Sequence, residues 1–178
     1  MSLRLVNLQQ LSAQNAPSRE LIMRTVREMY KGPAWHGPSL RFTLRGIPAT
    51  VAAWRVGKGR NTIWELVLHL AYARHRALLR LGVSSDRSFP RPLRASWWPR
   101  MPQDHHESAW REDLVLLHDY QSRLLDVLAV VPDAKLRSIR KGQRRSMAHE
   151  ILGAAIHDAY HTAQIQLIKR LYASGTRR

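Results

Sequence analysis

The chain has 178 residues, long enough for one domain with a substantial apolar core, and it contains no cysteine. The absence of cysteine excludes disulfides, thiolate zinc sites, iron–sulfur clusters and cysteine nucleophiles, so any protein ligand to a metal must be His, Asp or Glu. The sequence shows no signal-like opening segment and no run close to the roughly 20 apolar residues of a membrane span, so a soluble cytoplasmic protein without membrane partners is expected.

The formal net charge of +16 at pH 7 is large. An excess of this size is typical of proteins that bind nucleic acids. Most of the charge is arginine spread along the whole chain, and the densest basic run, residues 135–145, lies in a predicted loop between helices, where such charges are usually solvated. The charge therefore predicts attraction to acidic partners, and specific nucleic-acid binding is possible but not favoured.

The first predicted helix follows a lead-in segment, residues 1–17, that has little periodicity. Ser18 is its expected N-cap, and the Gly-Pro pair at 32–33 ends it. Its apolar side consists of Leu21, Ile22, Val26 and Met29. Beyond this helix a short helical turn is predicted over 39–45, and residues 47–60 are expected to be irregular.

The second predicted helix has a clear start signal. Thr62 and Glu65 have the spacing of a capping box, in which each side chain accepts a hydrogen bond from the backbone N–H of the other residue. Gly82 is expected to end this helix. His69 lies on the predicted core-facing side, whereas His75 projects from a different side and is predicted to lie at the surface.

Two further helices complete the predicted fold. Residues 84–106 contain several prolines and no helical period, so they are predicted to form a long loop, a feature that is usually functional or mobile in compact domains. The third helix is predicted over 108–131 and the fourth over 146–173, and no stretch alternates like a half-buried strand. The sequence therefore predicts an all-α fold, a four-helix bundle with a long loop between helices 2 and 3, in a single domain over 1–178 that ends in a basic tail, 174–178.

The fourth predicted helix carries a histidine pair, His157 and His161. Residues four apart lie on one face of a helix with Cβ atoms about 5–6 Å apart, so both imidazoles can bind one metal ion, as in helical histidine pairs of zinc enzymes. The stripe that contains the pair is otherwise small or apolar and is expected to face a core: Gly153, Ala154, His157, His161, Ile165 and Ile168. A metal ion would satisfy both buried imidazoles; two separately hydrogen-bonded core histidines are the alternative.

A catalytic metal site typically has three protein ligands and an open position. His69 is the best third ligand, because it lies on the core-facing side of another helix. The other histidines weighed for this position compete poorly: His105, His106, His118 and His149. Glu65, four residues before His69, could also be a ligand or a base, but its capping role is a sufficient explanation.

Three neighbours of the histidine pair have two interpretations each. Asp158 is expected either to orient a histidine ligand through a hydrogen bond or to form a salt bridge. Tyr160 is expected to lie in the core or at a dimer contact. Gly153 costs helix stability relative to alanine, so either another helix approaches closely there or the residue leaves room beside the ion.

Several motifs of the chain recur together in one known family. They are Trp-Glu-Leu-Val-Leu-His at 64–69, Trp-Pro at 98–99, and Gly-x-x-x-His-Asp-x-Tyr-His-x-x-Gln-Ile at 153–165, with a further Trp-His-Gly-Pro-Ser-Leu loop at 35–40. With these motifs the chain resembles the DinB-like (damage-inducible, metal-binding) four-helix bundle superfamily over roughly residues 18–172.

The resemblance implies a divalent ion, such as zinc, nickel or iron, on His69, His157 and His161. It also implies a small-molecule substrate, a stress-related role and a homodimer. Characterised relatives include transferases and isomerases that use low-molecular-weight thiols such as mycothiol, bacillithiol or glutathione, and arginines such as Arg76 could hold the carboxylates of such a thiol. The alternatives are a hydrolase with metal-bound water as the nucleophile, and a non-enzymatic bundle that binds nucleic acid through its basic surface.

Overall fold

The computed structural model of the chain describes residues 17–83 and 88–175, which fold mainly into helices. The seven helices of these residues are α1 (Arg19–Lys31), α2 (Leu40–Leu44), α3 (Ala49–Ala53), α4 (Ile63–Leu81), α5 (Glu107–Val130), α6 (Asp133–Arg137) and α7 (Met147–Gly175). The same residues contain two short antiparallel hairpins, in which β1 (Pro33–Ala34) pairs with β2 (Gly37–Pro38) and β3 (Leu93–Ala95) pairs with β4 (Trp98–Pro99). Almost all of the predicted lead-in, part of the predicted long loop and most of the basic tail lie outside the described residues.

The boundaries of α1 and α4 follow from the residues that cap them. Ser18 Oγ accepts the backbone N–H of Leu21 at the start of α1, at 3.2 Å. At the start of α4, Thr62 Oγ1 accepts the N–H of Glu65 at 3.1 Å, and the Glu65 carboxylate accepts the N–H of Thr62 at 2.8 Å. The predicted capping box is therefore confirmed. Gly82 ends α4 with a φ of 88°, a left-handed conformation that glycine adopts without steric cost.

The four long helices contact one another in a ring, in which α1 and α4 each contact both α5 and α7. Two buried indoles make hydrogen bonds at this ring. Trp64 of α4 donates to Asp113 of α5 at 2.7 Å, and Trp110 of α5 donates to the carbonyl of Ile47, between α2 and α3, at 2.7 Å. The largest fully buried side chains are Trp64, Trp110, Ile22, Leu40, Ile63, Leu66, Leu68, Leu70, Leu117, Leu128, Met147 and Ile151. Burying each leucine, isoleucine or methionine side chain among these contributes about 1.5–3 kcal/mol. The expected all-α fold is confirmed, and no helix in the described ranges combines the length and the apolar composition needed to cross a membrane.

The prediction that His75 lies at the surface is wrong. Its side chain is buried, and its ring lies against those of Phe89 and Tyr120, with centroid separations of 5.6 and 5.5 Å. The physical reason is that α3, α5, α7 and β4 all contact α4, which buries almost the whole circumference of this helix. The apolar stripe of such a helix identifies one buried side, but it does not show that the remaining sides of the helix are exposed to solvent.

Three segments contain more regular structure than the sequence indicates. Residues 47–60, expected to be irregular, contain α3, and residues 84–106, expected to be a loop without strands, contain the β3–β4 hairpin. The basic segment 135–145 begins inside α6. Elements of two to five residues are too short to show a helical or strand period, so the pattern of apolar residues cannot reveal them. The predicted helical turn at 39–45 is confirmed by α2.

Candidate metal centre

The structure brings the three predicted histidines together. His69 comes from the middle of α4, and His157 and His161 come from successive turns of α7. The Nε2 atom of His157 lies 3.1 Å from that of His69 and 2.8 Å from that of His161. Potential ligand atoms of the three residues all lie within 4.8 Å of one another. His69 and His161 are buried, whereas His157 is half-buried and forms the accessible edge of the cluster.

Two hydrogen bonds determine which nitrogen of each buried imidazole faces the cluster. The Nδ1–H of His69 donates to the carbonyl oxygen of Trp97 at 2.7 Å, and the Nδ1–H of His161 donates to the side-chain oxygen of Gln164 at 2.7 Å. Because both partners are oxygen acceptors, the proton of each neutral ring is on Nδ1 and the lone pair of Nε2 points into the cluster. Such outer partners are the usual means of fixing the orientation of a metal-binding histidine.

The protein environment keeps these imidazoles neutral. Burial, reinforced by the neighbouring histidines and by Arg74, lowers the pKa of His157 to about 4. Burial also lowers the pKa of His69 and of His161, although the hydrogen bond at each Nδ1 opposes the effect. Neutral imidazole is the form that binds metal ions, so the cluster is in its ligand form at pH 7.

The donor set fits a divalent transition-metal ion. The Nε2 atoms of His69 and His161 carry no proton, so His157 can donate a hydrogen bond to only one of them, and the other lone pair still needs a partner. Two nitrogens that are each about 2.0–2.1 Å from one ion lie at most about 4 Å apart, and both measured separations fall within that limit. An ion at the centre of the cluster would satisfy all three lone pairs at once.

The β3–β4 hairpin contacts the imidazole of His69 through two tryptophans. The ring of Trp98 stacks on the imidazole of His69, with centroids 4.2 Å apart and planes 11° apart. Trp97, at the turn of the hairpin, has a φ of 68°, a left-handed conformation that is uncommon for a large side chain. This conformation accompanies the carbonyl contact to His69, so this part of the predicted loop lies against the histidine cluster.

A cavity of about 440 Å³ opens beside His69 and His157. Its other walls include Trp97 of the hairpin, Arg80 of α4, Arg145 just before α7, and Met147, His149, Glu150 and Gly153 in the first two turns of α7. A Cβ atom added to Gly153 would meet no described atom within 4 Å. The interpretation that another helix approaches Gly153 closely is therefore wrong, and open space beside the cluster is the interpretation that fits.

The face of α7 that carries the histidines is buried along only part of its length. Ile165 and Ile168 are in the core, as predicted, and so is His161. Upstream, Ala154 is half-buried and Gly153 is exposed at the wall of the cavity. The stripe that was expected to face the core therefore faces the core in its second half and the cavity in its first half. The apolar period of the sequence does not distinguish these two environments.

Asp158 forms a buried salt bridge and does not orient a histidine. Its carboxylate accepts a hydrogen bond from Arg74 of α4, and both side chains are at most 4% exposed. The guanidinium of Arg74 also donates to Gln121 of α5 at 2.7 Å and to the Leu70 carbonyl at 3.0 Å. Of the two interpretations of Asp158, the salt bridge is correct, and it joins the two helices that carry the histidines.

Other residues weighed from the sequence lie outside the cluster. His118 lies 3.3 Å from the hydroxyl of Tyr30, and the carboxylate of Glu65 is taken by its capping bond and by Arg55 at 3.0 Å. Tyr160 is 61% exposed, so a core position is excluded for it.

Three residues that line the cavity beside the histidines were not predicted from the sequence: Trp97, Arg80 and Arg145. The pair of tryptophans in the middle of the predicted loop is the signal that could have drawn attention to Trp97. Nothing in the sequence distinguishes Arg80 and Arg145 from the many other arginines of this basic chain.

Comparison with known proteins gives one result. The family model of the DinB superfamily matches residues 35–165, a range that contains all three histidines of the cluster. No curated protein and no solved structure matches the chain.

Proposed function

The chain belongs to the DinB superfamily, and we propose that it binds one divalent metal ion through His69, His157 and His161. The convergence of three neutral imidazoles on a common centre is the observation that carries this proposal. Zinc, nickel and iron(II) are among the ions that such a set of nitrogens accepts. We further propose that the ring of long helices is the four-helix bundle of this superfamily and that the chain forms one domain over 1–178.

We propose that the protein is an enzyme that uses a low-molecular-weight thiol, as an S-transferase or an isomerase. A bound ion would supply Lewis-acid chemistry that polarises a carbonyl group or stabilises a thiolate. The chain supplies the rest: His69 and His161 are held in one orientation by their Nδ1 hydrogen bonds, and the indole of Trp98 covers the outer face of His69. The chain has no cysteine, so the reacting thiol must come from a separate molecule. The cavity of about 440 Å³ beside the cluster is large enough for a small thiol.

The experiment that tests this function measures metal content and thiol chemistry on the same samples. Elemental mass spectrometry of the wild type and of His69→Ala, His157→Ala and His161→Ala is expected to show about one ion per chain that all three substitutions remove. His118→Ala is the matched control, because this histidine lies outside the cluster, and it is expected to keep the ion. The samples are then assayed for conjugation or isomerisation of electrophiles with mycothiol, bacillithiol and glutathione.

The outcomes separate the alternatives. Wild-type protein that stays free of metal after incubation with zinc, nickel and iron(II) would refute the metal site. Metal-dependent cleavage of esters or amides without any thiol would indicate a hydrolase instead. DNA binding that weakens steeply with salt and is unchanged in the histidine variants would favour the non-enzymatic function, for which the net charge of +16 is the supporting observation.

We also propose that the protein forms a homodimer through an apolar stripe on α7. Ile156, Tyr160 and Leu167 are 64%, 61% and 57% exposed. At 3.6 residues per turn these three side chains lie within about 40° of arc on one face of the helix. Exposed apolar side chains that form a continuous patch are typical of an interaction surface, and this position of Tyr160 agrees with the predicted dimer contact.

A further inference from the structure

The cavity beside the histidine cluster has an excess of positive charge. Glu150 is the one acidic residue among the described residues that line it. This carboxylate lies 3.1 Å from a guanidinium nitrogen of Arg80 and 3.0 Å from one of Arg140, so it is already shared between two cations. Arg145 lines the cavity as well and forms no ion pair with any residue in 17–83 or 88–175. The described lining thus carries two guanidinium groups, those of Arg80 and Arg145, against one carboxylate, and Arg140 pairs with that carboxylate from outside the lining.

The remaining walls of the cavity are apolar or aromatic. Ala73, Ala77, Met147, Ile151 and Ala154 contribute small or apolar surface. The indole of Trp97 forms another wall, and the guanidinium of Arg80 lies 5.5 Å from its ring centroid. Such a cavity accommodates a small organic molecule, and its positive charge favours a molecule that carries an anionic group. The planar fork of a guanidinium matches the two oxygens of a carboxylate.

We propose that this cavity binds a small organic acid, with the carboxylate held by Arg145 and Arg80 and the rest of the molecule extending along Trp97 towards the histidines. This inference rests on the proposed function in one respect, namely that the reacting end of the acid lies at the metal centre. It narrows the substrate or thiol of that reaction to molecules that carry a carboxylate. Arg76, the arginine that the sequence suggested for this role, lies against Trp97 but does not line the cavity.

Two substitutions isolate the cavity without disturbing the core. Gly153→Leu places a side chain in open space at the cavity wall, because an added Cβ meets no described atom there, and it also replaces a poor helix former by a good one. Arg145→Gln removes the charge of an exposed arginine. Arg27→Gln is the matched control, since this exposed arginine of α1 makes the same charge change and does not line the cavity.

The test is calorimetric titration of the metal-loaded full chain at low ionic strength with succinate, phthalate and S-methylglutathione. S-methylglutathione has no free thiol, so its binding does not depend on thiolate formation, and its diethyl ester provides a probe without the carboxylate charges. We expect at least one acid to bind the wild type and Arg27→Gln equally. We expect binding to be about tenfold or more weaker in Arg145→Gln and undetectable in Gly153→Leu and with the ester.

The result can be separated from that for the proposed function, because metal content is measured on the same samples. If the wild type takes up no metal after incubation with zinc, nickel and iron(II) but still binds an acid, the cavity site is supported and the metal site is refuted. Failure of all three acids to bind metal-loaded wild type, or equal binding by wild type and Arg145→Gln, would overturn the inference and leave the metal site intact.

Discussion

At the scale of single residues, a backbone carbonyl controls a metal-binding side chain. The carbonyl of Trp97 accepts the Nδ1–H of His69, and the residue adopts a φ of 68° at the hairpin turn. Glycine adopts this conformation without strain, whereas the ring of proline fixes φ near −65°. The backbone at position 97 can therefore be tested independently of its indole.

We expect Trp97→Gly to keep the metal affinity of the wild type and Trp97→Pro to weaken it by about 10- to 100-fold, as loss of an outer hydrogen-bond partner of a metal ligand typically does. Competition with a chromophoric chelator measures both affinities, and circular dichroism confirms that each variant is folded. Equal affinities for the folded glycine and proline variants would show that the carbonyl does not orient His69.

The histidine cluster was predictable from sequence for a simple reason. His157 and His161 are four residues apart, so helical periodicity places this pair on one face. His69 lies on the predicted inner side of another helix, and the resemblance to the DinB-like family implies that it joins the pair. The contact of Trp97 was not predictable in this way, because a carbonyl that points at a ligand depends on one backbone torsion rather than on residue type. The position of Arg145 at the cavity likewise depends on how the start of α7 meets α4, which is tertiary information.

At the scale of elements, a buried polar network connects all four long helices behind the histidines. Arg74 of α4 contacts Asp158 of α7 and Gln121 of α5, and the amide of Gln121 donates to the Val26 carbonyl of α1 at 3.2 Å. A buried ion pair does not necessarily add stability over apolar residues of similar shape, but removing one partner leaves the other charge buried without compensation.

We expect Arg74→Met to destabilise the protein by about 3–5 kcal/mol, because Asp158 is then buried without its counter-ion. The double variant Arg74→Met with Asp158→Leu is expected to recover part of that loss. Urea denaturation of the two variants and the wild type measures the free energies of unfolding. A double variant less stable than Arg74→Met would contradict this account and would show that Asp158 stabilises the fold through another contact.

Helices α1 and α4 were predictable because each has a side-chain cap at its start, a glycine at its end and an apolar period between them. What the sequence could not reveal is how many neighbours each helix has. His75 lies on a side of α4 that the apolar period does not identify as buried. Its ring is covered by Phe89, from the segment before the β3–β4 hairpin, and by Tyr120 of α5. The short elements α3, β3 and β4 are held by tertiary contacts rather than by local preference.

At the scale of the whole molecule, the net charge of +16 acts against the association that the surface of α7 favours. The apolar stripe of Ile156, Tyr160 and Leu167 would be buried in a dimer, but each copy brings the same positive charge to the other. Salt screens this repulsion, since the Debye length falls from roughly 30 Å at 0.01 M to about 8 Å at 0.15 M ionic strength. The proposed dimer should therefore be strengthened by salt, whereas binding to DNA would be weakened by it.

This opposition gives a prediction about the intact protein. Sedimentation velocity is expected to show a dimer at 0.15 M salt and a larger fraction of monomer at 0.01 M salt. Tyr160→Arg places a charge in the middle of the stripe and is expected to be monomeric at both salt concentrations, whereas Val130→Arg, at an exposed position on α5, is the matched control and is expected to dimerise as the wild type does. Tyr160 adjoins His161, with ring centroids 5.0 Å apart, so metal content is measured on both variants. A Tyr160→Arg variant that keeps its metal and still dimerises would exclude this face of α7 as the interface.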